Sequence, residues 1–234
     1  MVTRSQEDKD FILSNLEETY NIKNFISQKD IDDLCNEYDN SKNKIHKNTG
    51  PITSDIKNYK SPVIDKILKK ISILYPNSEF RSGIFFEVDY PHIIHNDDDF
   101  DYPLNYKAFN IPLRYEGNQE PCLVFFDQVY LNGPSKFFNG ENNIETYYNK
   151  CVYEYKDVLR KSDKPFNANI KEKYLSHIKD KWLEGLSFNS VHHWTPGTSI
   201  VFDAVRLHCA SDFRKTCSKK LGLSIFTNFI SNNI

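Results

Sequence analysis

The chain has 234 residues, 39% of them hydrophobic and 26% charged, which suits one domain with a substantial core. Thirty Lys and Arg stand against 32 Asp and Glu, for a formal net charge of -2, and the basic residues are spread rather than massed. That balance excludes a general nucleic-acid or membrane-surface binder as the first expectation. No apolar run is long enough to cross a bilayer, and Met1 to Asp10 lacks the apolar stretch of a signal peptide, so a cytoplasmic protein is expected. Cys35, Cys122, Cys151, Cys209 and Cys217 are an odd set without a CxxC pair, as free thiols in a reducing compartment would be. Cys209 reads as a buried, inert thiol.

The first third reads as helical. Ser27 followed by Asp30 forms a capping-box-like start, and Ile31, Leu34 and Cys35 give a small apolar stripe. Residues 41–60 are polar, with a break at Gly50-Pro51, and read as a surface loop. Ser61-Pro62 is an N-cap and N1 pair for a helix carrying Val63, Ile64, Ile67, Leu68, Ile71 and Leu74, which Pro76-Asn77 ends. From Arg81 the period becomes two: Ile84, Phe86, Val88 and Tyr90 alternate with Phe85, Glu87 and Asp89. Lys107 to Tyr115 and Pro121 to Leu131 read as two more strands, joined by a turn at Glu116-Gly117-Asn118. Residues 132–190 begin Gly- and Asn-rich and then turn helical, with Ile170, Tyr174, His177, Ile178 and Trp182 on one side. They read as an insertion covering one mouth of the barrel. Thr198 to Ala204 and Lys220 to Phe229 are the last strands.

The expected architecture is α+β. A jelly-roll core spans 81–131 and 191–234, residues 1–80 give N-terminal helices packed on one sheet, and 132–190 form a partly helical insertion, all in a single domain.

The chemistry concentrates in three segments. His95-Asn96-Asp97 places a histidine and a carboxylate two residues apart, so in extended chain both side chains point the same way. His208 follows a Pro196-Gly197 turn and an apolar strand, at that strand's far end. Two histidines and one carboxylate form the facial ligand set of a non-haem Fe(II) centre. Asp98 and Asp99 compete with Asp97, but only Asp97 has the i+2 relation to His95, and the run to Asp101 also fits a solvated acidic loop. Lys220 opens the final strand and shares a face with Gly222, Ser224 and Phe226, leaving room and a hydroxyl for an anionic ligand. Lys219 is its rival, on the apolar face.

The order of these segments resembles the Fe(II)/2-oxoglutarate-dependent oxygenases, from about Phe85 to Phe229 apart from the insertion. Small phage-encoded and marine microbial members are similar in the run Leu207-His208-Cys209-Ala210-Ser211-Asp212-Phe213, then Lys220-Leu221-Gly222-Leu223-Ser224-Ile225-Phe226-Thr227, and in Ala108 to Leu113. The resemblance implies a double-stranded β-helix with iron at its mouth and His95, Asp97 and His208 as iron ligands. It implies 2-oxoglutarate and O2 as cosubstrates, with Lys220 on the distal carboxylate and Ser224 beside it. It implies hydroxylation of an unactivated C–H bond with release of succinate and CO2.

Other residues keep two readings. Asn110, in an otherwise apolar strand, is a structural hydrogen bonder or a cosubstrate contact. Arg206 binds a substrate carboxylate or pairs with the acidic run, and His92 lies off the metal or on the substrate side. Trp182 and Trp194 read as core before substrate platform. His192 and His193 would join His208 in a three-histidine cupin site if the metalloenzyme used no 2-oxoglutarate. A non-catalytic jelly-roll binding module is the alternative outside enzymes. The substrate, a small molecule or a peptide, and the oligomeric state are not legible.

Overall fold

A computed structural model describes residues 4–46, 51–98, 105–133 and 158–230. Two antiparallel sheets, one of six strands and one of four, stand behind an N-terminal helical layer. Helix α1 (Gln6–Ser14) starts at an Ser5 cap whose hydroxyl accepts from Asp8 N. Helix α2 (Gln28–Asn40) starts at the reciprocal Ser27–Asp30 capping box, and α3 (Pro62–Leu74) at Ser61 with Pro62 in its first turn. Both starts match the sequence signals, because N-cap chemistry is local and satisfies amide donors that the helix cannot.

The larger sheet runs β1 (Tyr20–Ile22), β8 (Ser199–Asp203), β4 (Asn105–Gly117), β10 (Cys217–Phe229), β3 (Ser78–Val88) and β2 (Ile52–Asp55). Its outer face is covered by α2 and α3. Leu34, Tyr38, Ile64, Ile67 and Ile71 pack there against Phe85, Phe109, Ile111, Leu221, Leu223 and Ile225. The central β10 is therefore buried on both faces, which its alternation of two kinds of small and apolar residue anticipates.

The smaller sheet holds β5 (Cys122–Tyr130) between β9 (Arg206–Ala210) on one edge and β7 (Phe188–His193) and β6 (Val158–Leu159) on the other. The inner faces of the two sheets meet over Leu123, Phe125, Trp194, Ile200 and Phe202.

Four expectations change. The reading of 41–60 as loop misses β2, which pairs with β3, and the 3-10 turn Ile56–Asn58 that buries Ile56. A short polar edge strand carries no alternation to detect. The helical first third also contains β1, held on β8. The apolar strand ending at His208 is two strands. The chain leaves the larger sheet after Asp203 and enters the smaller at Arg206, so His208 is the middle residue of β9.

The segment 132–190 is the fourth. Its described part, from Val158 on, contributes β6 and the start of β7, and a helix α4 that stops at Tyr174 (Ala168–Tyr174). Leu175, Ile178, Leu183 and Leu186 pack on the outer face of the smaller sheet against Val124, Phe126 and Leu207. Residues 134–157, with Cys151, lie outside the described residues, as do Asp99 and Asp101. Cys35, Cys122, Cys209 and Cys217 are free thiols. Among the described residues no helix is long and apolar enough to cross a membrane.

Candidate metal centre

His95 and Asp97 lie on an extended segment laid beside β9. His95 N donates to His208 O (2.9 Å), and His208 N donates to His95 O (2.8 Å). Asp97 N donates to Ala204 O (2.8 Å), and Ala210 N to His92 O (3.2 Å). The segment is thus an extra strand in all but length, and the i+2 rule that predicted a shared face for His95 and Asp97 applies to it. Asp97 Oδ1 stands 3.7 Å from His95 Nε2, and Oδ2 stands 3.6 Å from His208 Nε2. Among the described residues, these three form the group of metal-ligating side chains close enough to share an ion.

The donor set fits a divalent first-row metal. His95 Nδ1 sits 2.8 Å from Ile93 O, and His208 Nδ1 sits 3.0 Å from Arg206 O. A carbonyl can only accept, so each ring carries its proton on Nδ1 and turns a bare Nε2 lone pair to the centre. Ligand atoms 3.6 to 3.7 Å apart are spanned by one ion at roughly 2.0–2.2 Å from each. His208 is fixed further by Phe125, stacked at 5.3 Å, and Phe202, edge-on at 4.7 Å.

The triad opens on a cavity of about 110 Å3, between the sheets. Its walls are mostly apolar: Ile84, Phe86, Val88, Leu123, Ala210 and Phe226. Ile84, Phe86 and Val88 are the half of β3 that faces away from the helices, as the period of two predicts. The polar wall is Lys220, Ser224, Asn110 and His92.

Lys220 is buried at 3% exposure, and among the described residues no carboxylate pairs with it. Its Nζ lies 4.1 Å from the Trp194 ring centroid and 5.4 Å from that of Phe213. Desolvation pushes its pKa down to about 8. A buried ammonium without a counter-charge is costly, by several kcal/mol even after relaxation, and an anion in the cavity offsets that cost. Lys219 points the other way and pairs with Glu87 at 3.3 Å. Ser224 and Asn110 are cross-strand partners, and the Ser224 hydroxyl donates to Asn110 Oδ1. The proton expected from Ser224 is thereby committed, and the Asn110 amide is the pair's remaining donor.

The space over Gly222 is not left for a ligand. A Cβ there would lie 2.4 Å from the Trp194 ring, so the glycine admits the indole that roofs Lys220. Trp194 is core, with no exposure. Arg206 does not line the cavity. Its guanidinium donates to Glu17 O (2.9 Å) and lies 4.0 Å from Asp203, whose carboxylate also accepts from Lys107. His92 lines the cavity, its ring edge-on to His95 at 5.5 Å. His192 is occupied by Asn21 and Ser190, and His193 faces Glu120, so neither reaches His208 in a three-histidine set. Asp98 is not a solvated residue: its carboxylate is buried and pairs with Arg4. That pair has no signal in the linear sequence, since Arg4 is 94 residues from Asp98.

Solved structures with this architecture share a cofactor chemistry. The epimerase SnoN, solved with Fe3+, alpha ketoglutarate and nogalamycin RO, superposes with a TM-score of 0.53 at 8% identity, over 98% of this chain and 89% of that one. The viral collagen prolyl hydroxylase of Paramecium bursaria Chlorella virus-1, in its 2OG complex, gives 0.50 at 12% identity, over 92% and 97%. The chain shares the fold of these solved structures. A further member of that fold group, the alpha ketoglutarate dependent carbocyclase SnoK, gives 0.55 at 11% identity, over 97% and 84%. No known family model and no curated protein matches the sequence. The likeness is therefore one of tertiary structure, not of general sequence.

Proposed function

We propose that the protein is an Fe(II)- and 2-oxoglutarate-dependent oxygenase that hydroxylates an unactivated C–H bond of a small-molecule or peptide substrate. One observation carries the reading: the two Nδ1-anchored histidines, Asp97 and the unpaired, buried Lys220 line the same cavity. A binding module has no use for that combination, and a metalloenzyme without an anionic cosubstrate has no use for Lys220. We read the two facing sheets as the double-stranded β-helix, with 1–234 as a single oxygenase domain.

In this reading His95, Asp97 and His208 hold iron by Nε2, a carboxylate oxygen and Nε2. Bound iron and 2-oxoglutarate supply the oxidising chemistry that no protein side chain possesses. The residues do the rest. Three protein ligands leave part of the metal's coordination open. Lys220 holds the distal carboxylate of 2-oxoglutarate, and the Asn110 amide, oriented by Ser224, adds a hydrogen bond to it. Phe125 and Phe202 hold the His208 ring and keep water from it. His92 is the polar group placed for substrate, on an otherwise apolar wall formed by Ile84, Phe86 and Val88. That wall suits an uncharged portion of the substrate at the reacting carbon. Arg206 serves the β8–β9 corner, and no substrate role is assigned to it.

The test is an anaerobic Fe(II) titration with and without 2-oxoglutarate, watching for the visible metal-to-ligand charge-transfer band. A band that needs both components, and disappears in His208→Ala and Asp97→Ala, is the expected result. A folded wild-type protein that gives no band sinks the proposal.

A further inference from the structure

We infer that the Arg4–Asp98 ion pair is a positioning device for the metal centre: it holds the His95–Asp97 segment from behind and keeps the adjacent carboxylate off the ion. The inference rests on the proposed reading of the triad as an iron site.

The segment alternates. His95 and Asp97 line the cavity, while Asn96 and Asp98, each 4% exposed, are buried on its other side. Asn96 Nδ2 donates to Tyr130 O (3.1 Å) and Gly133 O (3.0 Å), at the end of β5. The Asp98 carboxylate has no solvent exposure and takes both terminal nitrogens of Arg4, with Nη2 at 2.6 Å from Oδ1. Arg4 Nη1 also donates to Leu131 O at 2.9 Å. The bidentate fork fixes angle as well as distance, which a lysine could not do.

Arg4 is itself held in place. It directly precedes the Ser5 cap of α1, and α1 docks through Ile12 on Val129, Leu131 and Val205. That cluster joins the end of β5 to the corner between β8 and β9. One rigid patch therefore supports both the HxD segment and the strand bearing His208.

The chemistry explains why a charge is needed. Asp97 and Asp98 are adjacent carboxylates, and a divalent ion would attract both. A buried carboxylate that loses a bidentate guanidinium is strongly destabilised. Without Arg4, turning Asp98 towards the metal would relieve that cost by disturbing the geometry of Asp97. Arg4 removes Asp98 from that competition.

The experiment is a Co(II) titration, followed by visible absorption, of wild type, Arg4→Ala, Arg4→Lys, Asp98→Asn and the Arg4→Ala/Asp98→Asn double variant. Partners behind metal ligands typically change affinity about 10- to 100-fold, and that weakening is expected for Arg4→Ala, with an altered d–d band. Arg4→Lys should recover part of the loss, and the double variant should be no worse than Arg4→Ala. Should Arg4→Ala fail to fold, Asp98→Asn, which keeps the shape but gives up the ion pair, is expected to show the weakening without the band change, since it leaves no second carboxylate to compete. Wild-type-like affinity and spectrum in both single variants, even with a lowered Tm, would make the pair structural only and overturn the inference. A wild-type protein that binds no Co(II) would instead remove the iron-site reading, and this inference with it.

Discussion

His95 and His208 exchange main-chain hydrogen bonds in both directions, at 2.9 and 2.8 Å, and their rings lie 4.3 Å apart. The ligands are thus brought together by backbone pairing, not by the metal. Asp97 N on Ala204 O and the Nδ1 contacts of both rings add to the same preorganisation. Chelating the metal should therefore leave the far-UV circular dichroism unchanged. Restoring Fe(II) or Co(II) at 100 times its Kd should raise stability by about 2.7 kcal/mol through binding alone. Loss of secondary structure in the chelated protein would contradict the preorganised site.

Lys220→Met should separate binding from folding. At pH 7 the buried ammonium is held in a state the fold disfavours, since its folded pKa of about 8 lies below the ordinary 10.5. The folded protein binds fewer protons than the unfolded chain between those values, so this cost is fully present below pH 8 and fades as pH rises towards 10.5. The shift corresponds to at most about 3 kcal/mol. The variant should be as stable as wild type or more so in urea melts at pH 7, while losing 2-oxoglutarate affinity by 100-fold or more. Wild-type affinity should itself fall above about pH 8, as Lys220 loses its charge, in a titration over pH 6.5 to 9.5. Unchanged cosubstrate affinity in Lys220→Met would refute the role of Lys220.

Gly222→Ala adds one methyl group where the Trp194 ring lies 2.4 Å from the new atom. Both the indole and the strand are buried, so the strain has no easy outlet. Overpacking of this kind costs roughly 1–3 kcal/mol. Because Trp194 also roofs Lys220, the KM for 2-oxoglutarate should rise with little change in metal affinity. Thermal melts and metal titrations of one preparation check both halves.

His177 gives the protein an acid-sensitive point. Burial pushes its pKa down to about 4, against an ordinary 6.5, with Asp212 opposing the shift only in part. The unfolded chain takes up a proton below pH 6.5 that the folded chain refuses until about pH 4. Stability should therefore fall across that window as pH drops, by at most about 3 kcal/mol from this group. His177→Phe should flatten the pH dependence of the urea midpoint between pH 6.5 and 4, and an unchanged slope would count against it.

The sequence by itself determined what is local or periodic. The Ser27–Asp30 box and the Ser61-Pro62 start were legible because caps act within four residues. The pairing of His95 with Asp97, and the sharing of a face by Lys220, Ser224 and Phe226, were legible because a strand alternates with period two. Tertiary structure decided what depends on partners far along the chain. Asp203 to Arg206 changes sheets because its backbone finds β4 on one side and β5 on the other, and no residue pattern announces that. Ile52 to Asp55 is a strand only because β3 offers it an edge. Trp194 fills the gap over Gly222, Ser224 spends its proton on Asn110, and Arg4 claims Asp98. Each of these is a contact between segments that only the folded chain brings within van der Waals or hydrogen-bond range.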